Sequence, residues 1–157
     1  MGSFSIKNTA SNSSFITYYS LFPIHHPLFH HHIMSQTKTI LIVDDDARNI
    51  FALSAFLKAK GYTCLSATSG EEAFQLLSGN TNIGIVLIDM MMPDMDGYEA
   101  IPIIRANEKI KHLPIIAVTA QAMVGDKEKC LQAGADQYIS KPVNVDALLP
   151  LLNRYLK

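Results

Sequence analysis

The chain alternates short apolar runs with amphipathic stretches five times between residues 39 and 155. The apolar runs hold four to eight residues and are rich in aliphatic and β-branched side chains, which is typical of buried strands. The stretches between them place apolar residues at helical spacing. This alternation predicts an α/β fold whose parallel sheet is covered by helices on both faces. The five strands fit the doubly wound order 2-1-3-4-5.

Signals for helix ends sharpen the predicted boundaries. Gly61 closes the first helix, Ser69 and Glu72 form a capping box at the second, and Asn144 caps the fifth. Pro102 removes an intrahelical hydrogen bond from the third helix and predicts a kink or a late start there. The strands are predicted at 39–43, 62–67, 83–88, 113–120 and 137–140. The helices are predicted at 49–60, 69–77, 98–106, 127–133 and 145–155.

Residues 1–37 differ in composition from the rest of the chain. They contain one charged residue, Lys7, no acid, and five of the six histidines. The cluster HHPLFHHH could suggest a metal site, but metal sites need preorganised ligands and this segment offers no scaffold. Its apolar part is too short and too interrupted to span a bilayer, and it lacks the features of a secretory signal. We predict a flexible, disordered leader over 1–37, from an upstream start or an added extension, and one domain over 38–157.

Charge and cysteine content narrow the function classes. The net charge of −1 gives no basic field, so we expect no nucleic-acid partner. No segment is expected to enter a membrane. Cys64 and Cys130 stand in unlike contexts without a CxxC spacing, which favours buried free thiols in the reducing cytoplasm.

Chemistry-bearing side chains follow four of the five predicted strands. Asp44, Asp45 and Asp46 follow the first, Asp89 the third, Thr119 the fourth, and Lys141 the fifth. In the order 2-1-3-4-5 these four strands are neighbours, so their carboxyl ends form one mouth. Clustered carboxylates repel unless a hard cation compensates them, and Mg²⁺ prefers such oxygen ligands. A carboxylate can also attack phosphorus to give an aspartyl phosphate, whose oxygens a lysine and a hydroxyl would stabilise.

Four motifs carry a resemblance to a known family. In chain order, VDDD, LIDMMMPDMDG, VTA and YISKP resemble the receiver domain of two-component response regulators, which has the CheY-like, flavodoxin-like fold. The resemblance covers residues 38–157 and implies roles for particular positions. It implies that Asp89 is the phosphoacceptor, that Asp45 binds Mg²⁺ directly, that Asp44 binds it largely through water, and that the Met91 backbone carbonyl is a further ligand. It also implies that Thr119 and Lys141 bind the phosphoryl group and that the Lys141–Pro142 bond is cis. Tyr138 would be the aromatic residue that changes rotamer on activation.

The resemblance also implies partners. The phosphoryl donor would be a histidine kinase or a histidine phosphotransfer protein, and a downstream protein would bind the face formed by the fourth helix, fifth strand and fifth helix. Because the sequence ends at Lys157, directly after the last predicted helix, we expect no output domain. The chain would act as a single-domain response regulator or be the receiver fragment of a hybrid sensor histidine kinase. Its chemistry would be limited to its own aspartate, so we do not expect an enzyme. Met91 is apolar where many members of the family carry a polar side chain, and this difference affects the expected rate of hydrolysis of the aspartyl phosphate.

Three rival functions compete for the same residues. An EF-hand reading of DMDG lacks ligands, because Met92 and Ile103 stand at the required positions. A haloacid-dehalogenase-like phosphatase would need that motif directly after a strand, and Pro93 intervenes. A flavin module would want Ser, Thr or Gly after the first strand, where three aspartates stand. Asp46 is better explained as a helix cap than as a metal ligand.

Overall fold

The computed structural model describes residues 38–120 and 125–156, which contain a five-stranded parallel sheet and five helices. The strand order is β2-β1-β3-β4-β5, as predicted. The strands are β1 Thr39–Val43, β2 Cys64–Ala67, β3 Ile83–Asp89, β4 Ile115–Thr119 and β5 Gln137–Ser140. The helices are α1 Ala47–Ala59, α2 Gly70–Gly79, α3 Gly97–Ala106, α4 Asp126–Gln132 and α5 Val145–Tyr155. The predicted leader over 1–37 lies outside the described residues.

Two buried clusters cover the two faces of the sheet. One face packs against α2, α3 and α4 and includes Leu41, Val86 and Ile101. The other packs against α1 and α5 and includes Ile85 and Leu152. All residues of β1 and β4 are buried, as expected for strands covered on both sides. Because the strands are packed on both sides, the side chains at their carboxyl ends are held in fixed positions.

Helix caps follow the sequence signals with one variation. Asp46 caps α1 and accepts the backbone N–H of Arg48, which places the start of α1 two residues before the predicted one. Asn144 caps α5 as predicted. Ser69 accepts the N–H of Glu72, as in a capping box. The Glu72 carboxylate, however, accepts from the backbone and hydroxyl of Thr68 instead of from the cap residue itself.

The remaining differences from the predicted boundaries have local causes. The second strand begins at Cys64 rather than at residue 62, because the N–H of Tyr62 donates to Leu57 and belongs to the end of α1. Of the kink or late start predicted for α3, the late start is wrong. Asp96 caps that helix, which begins at Gly97 and continues through Pro102. The fourth strand is shorter than its apolar run and begins after Pro114, which has no N–H to donate.

Candidate functional site

Asp89 ends β3 as a buried carboxylate, 4% exposed. Its Oδ1 accepts the backbone N–H of Met91 at 3.0 Å, and its Oδ2 accepts from the Lys141 ammonium at 2.6 Å. The following loop folds back tightly at Gly97, whose N–H donates to the carbonyl of Met90. A Cβ at Gly97 would lie 2.9 Å from the carbonyl oxygen of Asp89, so this glycine allows the start of α3 to pack against the strand end.

Asp44 and Asp45 follow β1 but have different environments. Asp44 is 5% exposed and accepts from the Asp46 N–H at 2.9 Å, from Asn49 Nδ2 at 3.1 Å and from Lys141 Nζ at 2.8 Å. Asp45 is exposed, and no hydrogen bond to its carboxylate is found among the described residues. The protein thus fixes Asp44 from three sides and leaves Asp45 open to solvent ligands.

The three predicted acids converge as the sequence suggested. Asp44, Asp45 and Asp89 each offer a carboxylate oxygen, and these oxygens lie within 4.8 Å of one another. Such a group of oxygens suits a hard divalent cation, which would offset the mutual repulsion of the carboxylates. The Met91 backbone N–H also contacts Asp89, so residue 91 lies against the cluster. The role of its carbonyl as a ligand remains a prediction.

Lys141 links two of the acids. Burial, the largest single influence, lowers the pKa of Lys141, but the hydrogen bonds and charges of Asp44 and Asp89 together outweigh it and raise the pKa above its usual value. The ammonium is therefore charged at neutral pH and offsets two buried carboxylates. The following bond, Lys141–Pro142, is cis, as the resemblance implied.

The two predicted switch residues lie on the neighbouring strands. Thr119 is fully buried at the end of β4. It follows Val118, the residue of β4 that pairs with Asp89 of β3. The backbone carbonyl of Thr119 accepts the N–H of Lys141 at 2.7 Å. Tyr138 pairs with Ala117 across β4 and β5 and is half-buried against the α2–α4 side of the core. Thr119 therefore lies at the same sheet edge as Asp89, and Tyr138 lies one strand further out.

Two features of the site escaped the sequence analysis. Asn49, in the first turn of α1, donates its side-chain N–H groups to the Asp44 carboxylate. The signal available in the sequence was an asparagine five residues after the first acid that follows β1. A largely apolar cavity of about 310 Å³ also opens beside Asp44 and Lys141. Its walls come from α1 and from the connection between β5 and α5, and include Leu53, Phe56 and Val143.

Sheet order and the residues at the strand ends together place the chain in the CheY-like class of signalling domains. The family model of the response regulator receiver domain matches residues 40–153, and the chain belongs to that family. It is therefore a receiver domain of two-component systems. None of the described helices has the length and apolar content needed to cross a membrane.

Two curated relatives differ in how much of them the chain covers. The polar-differentiation response regulator DivK of Brucella ovis is 35% identical over 120 residues, which is 76% of this chain and 97% of that protein. The sensor histidine kinase RcsC of Salmonella typhi is 42% identical over 120 residues, which is 74% of this chain but 12% of that protein. Receiver domains of this type thus occur both as nearly whole proteins and as small parts of kinases.

Two solved structures bear on the site. The receiver domain of the sensor histidine kinase PA1611 from Pseudomonas aeruginosa, crystallised with a magnesium ion in its active-site cleft, is 36% identical with a TM-score of 0.69, covering 76% of this chain and 97% of that one. The receiver domain of Ssk1 from Saccharomyces cerevisiae, solved with the histidine phosphotransfer protein Ypd1, is 28% identical with a TM-score of 0.70, covering 76% of this chain and 89% of that one.

Proposed function

We propose that the chain accepts a phosphoryl group on Asp89 from a phosphohistidine of a histidine kinase or phosphotransfer protein. The observation that carries this proposal is the buried Asp89 carboxylate, bonded to Lys141 at 2.6 Å inside a cluster of three acids. An Asp89 oxygen forms the new bond to phosphorus while the bond from phosphorus to the donor nitrogen breaks. Lys141 and the Thr119 hydroxyl stabilise the phosphoryl oxygens. Detection of one base-labile phosphoryl group on Asp89 tests the proposal.

The acids fit a Mg²⁺ site with unequal roles. Asp45 is exposed, and a carboxylate oxygen of Asp45 lies within 4.8 Å of one of Asp89, so these two carboxylates and the Met91 carbonyl would bind the ion directly. Asp44 already accepts three protein donors and would act through water. When bound, Mg²⁺ supplies positive charge that offsets the phosphoryl and carboxylate oxygens. The PA1611 receiver domain with magnesium in its cleft supports this assignment.

We expect Asp45→Asn to weaken the response of the domain to Mg²⁺. Removing one of three close carboxylates relieves repulsion, so the free energy of unfolding without metal should rise by about 1 kcal/mol. For the wild type, Mg²⁺ at about ten times its dissociation constant should add about 1.4 kcal/mol. Thermal unfolding at pH 7 with and without Mg²⁺ measures both quantities. The exposed Asp94→Asn serves as the control, and an equal Mg²⁺ response in both variants would contradict the metal site.

The α1 side of the site offers the phosphoryl donor a surface on which to dock. The apolar cavity beside Asp44 and Lys141 lies between α1 and the connection after β5. Phe51 on α1 is 76% exposed, the largest exposed fraction among the large apolar side chains described. Exposed aromatic side chains of this kind often anchor protein interfaces. We infer that the histidine-bearing partner docks on α1, and the Ypd1–Ssk1 complex supports a partner of that class.

Phe51→Ser should slow phosphotransfer from a phosphorylated histidine phosphotransfer protein by about tenfold, because an interface anchor is lost. Labelling by acetyl phosphate should not change, since this small donor needs no protein interface and Phe51 is not one of the clustered acids. Ile103→Ser on α3 is the matched control, because Ile103 is also exposed, at 47%, but lies on another helix. Rapid-quench transfer assays with both donors give the comparison. Equal transfer rates for the two variants would exclude α1 as the donor face.

The output step rests on Thr119 and Tyr138. Movement of the Thr119 hydroxyl toward a phosphoryl group would vacate space beside β4, and Tyr138 on β5 could then turn inward. That change would reshape the face formed by α4, β5 and α5, where we propose that a downstream protein binds. We propose neither a nucleic-acid partner nor a membrane contact.

We favour a single-domain response regulator in the cytoplasm over the receiver of a hybrid histidine kinase. DivK supports the single-domain form, because the aligned region spans 97% of that protein. RcsC supports the alternative, because the aligned region spans 12% of that kinase. The chain would turn over only its own aspartyl phosphate and would not be an enzyme. Sequencing the complete reading frame distinguishes the two, because a hybrid kinase would encode a kinase core in the same frame.

A further inference from the structure

A larger cavity, of about 680 Å³, lies at the opposite edge of the sheet from Asp89. Its walls are the end of α2, the start of β3, the connection between α3 and β4, Lys38 and Tyr155. These residues stand at the amino ends of the strands, whereas the acids stand at the carboxyl ends. The volume falls within the range of roughly 300–1,000 Å³ that is usual for small-molecule sites. The cavity is therefore large enough for a ligand and separate from the phosphorylation site.

The charges that line this cavity have one sign. Lys38 and Lys109 are its charged residues, the imidazole of His112 also lines it, and no aspartate or glutamate does. Within residues 38–120 and 125–156, none of these three side chains forms an ion pair. Glu108, the acid beside Lys109, is paired with Lys111 at 2.7 Å. The two lysines of the lining thus have no acidic partner within the described residues, which favours an anionic ligand.

The neutral polar groups favour the same ligand. Asn80 Oδ1 accepts the N–H of Asn82 at 2.9 Å, and Asn107 Oδ1 accepts the N–H of Lys109 at 3.1 Å. Because these amide oxygens are engaged, each lining asparagine retains its NH₂ group as a donor. Donors next to uncompensated cations suit phosphate oxygens, which accept several hydrogen bonds at once.

The rest of the lining is mainly apolar, apart from Ser78 and Thr81. Leu77, Ile110 and Leu113 are each at most 8% exposed, and Pro114 and Tyr155 lie beside them. An inorganic anion would leave this apolar wall unused, whereas a ring attached to a phosphate would cover it. We propose that this cavity binds a small organic phosphate of mononucleotide size. The site does not depend on phosphorylation of Asp89.

Nuclear magnetic resonance of the full ¹⁵N-labelled chain tests the proposal with three probes: AMP, adenosine and inorganic phosphate. AMP should give saturable shifts concentrated in residues 77–84 and 107–114, and should bind more tightly than either of the other probes. The same dissociation constant is expected for Asp89→Asn, which separates this site from the phosphoacceptor. Absence of saturable shifts at those residues would overturn the proposal. Equal affinity for AMP and inorganic phosphate would overturn the assignment of an organic ligand.

Two lysine variants distinguish specific binding of AMP in the cavity from nonspecific attraction to surface charge. Lys109→Gln should weaken AMP binding about fivefold, because it removes one unpaired charge from the lining. Lys111→Gln removes the same charge two residues away, but Lys111 does not line the cavity and is paired with Glu108. It should leave the dissociation constant within a factor of about 1.5. An equal loss in both variants would show that AMP responds to surface charge alone and would overturn the proposal.

Discussion

Asp89→Asn should abolish phosphorylation of the chain by acetyl phosphate in the presence of Mg²⁺. The wild type should gain one phosphoryl group that hydroxylamine and base remove, because an acyl phosphate is a mixed anhydride. An asparagine amide is a poor nucleophile, so the variant should remain unlabelled. The substitution is nearly isosteric, and the Met91 N–H can still donate to the amide oxygen, so the fold should be retained. Intact-protein mass spectrometry before and after hydroxylamine measures the result.

Asp94→Asn is the matched control for this experiment. Asp94 is an exposed carboxylate five residues after Asp89 and has a φ of 66°, which asparagine tolerates well. It should be labelled at the wild-type rate. Stoichiometric, hydroxylamine-sensitive labelling of Asp89→Asn would assign the acceptor to another residue and refute the proposed chemistry. Loss of labelling in both variants would also count against Asp89 as the specific acceptor.

Much of this site could be predicted because parallel sheets collect the carboxyl ends of their strands at one edge. Once the strands were placed, the positions of Asp44, Asp89, Thr119 and Lys141 followed from the order 2-1-3-4-5. The sequence could not show which groups bond to each other in the resting domain. Lys141, predicted to bind a phosphoryl group, is bonded here to Asp44 and Asp89.

Contacts between distant residues account for what the sequence analysis missed. Pro150 lies inside α5, at the same sixth helical position that Pro102 occupies in α3, and both helices continue past their prolines. A proline rule applied to an isolated helix overstates the effect, because packing of the helix against the sheet stabilises it.

Arg105 has no distinguishing motif around it, yet its hydrogen bonds reach residues up to 31 positions away in the sequence. Local patterns do not contain that information.

Arg105 joins three segments at the end of α3. Its guanidinium donates to the carbonyls of Lys111, Leu113 and Gly134 at 2.7–2.8 Å, and to the Asp136 carboxylate at 2.8 Å. Asp136 in turn accepts the N–H of Ile115 at the start of β4. The planar fork of an arginine can serve all these acceptors at once, which a lysine cannot. The network therefore ties α3 to the beginnings of β4 and β5.

Arg105→Ala should lower the free energy of unfolding by about 2 kcal/mol, because the part-buried carbonyls of Leu113 and Gly134 lose a charged donor. Arg48→Ala is the matched control. Arg48 also pairs with an aspartate at 2.7 Å, but its side chain is 91% exposed, so we expect no measurable loss of stability. Urea unfolding followed by far-ultraviolet circular dichroism is suitable, since the chain contains no tryptophan. Arg105→Lys should fall between the two, because it keeps the charge and loses the fork. If Arg105→Ala and Arg48→Ala are equally stable, the bonds of Arg105 contribute no more than an exposed ion pair, and the sheet end is stabilised by apolar packing alone.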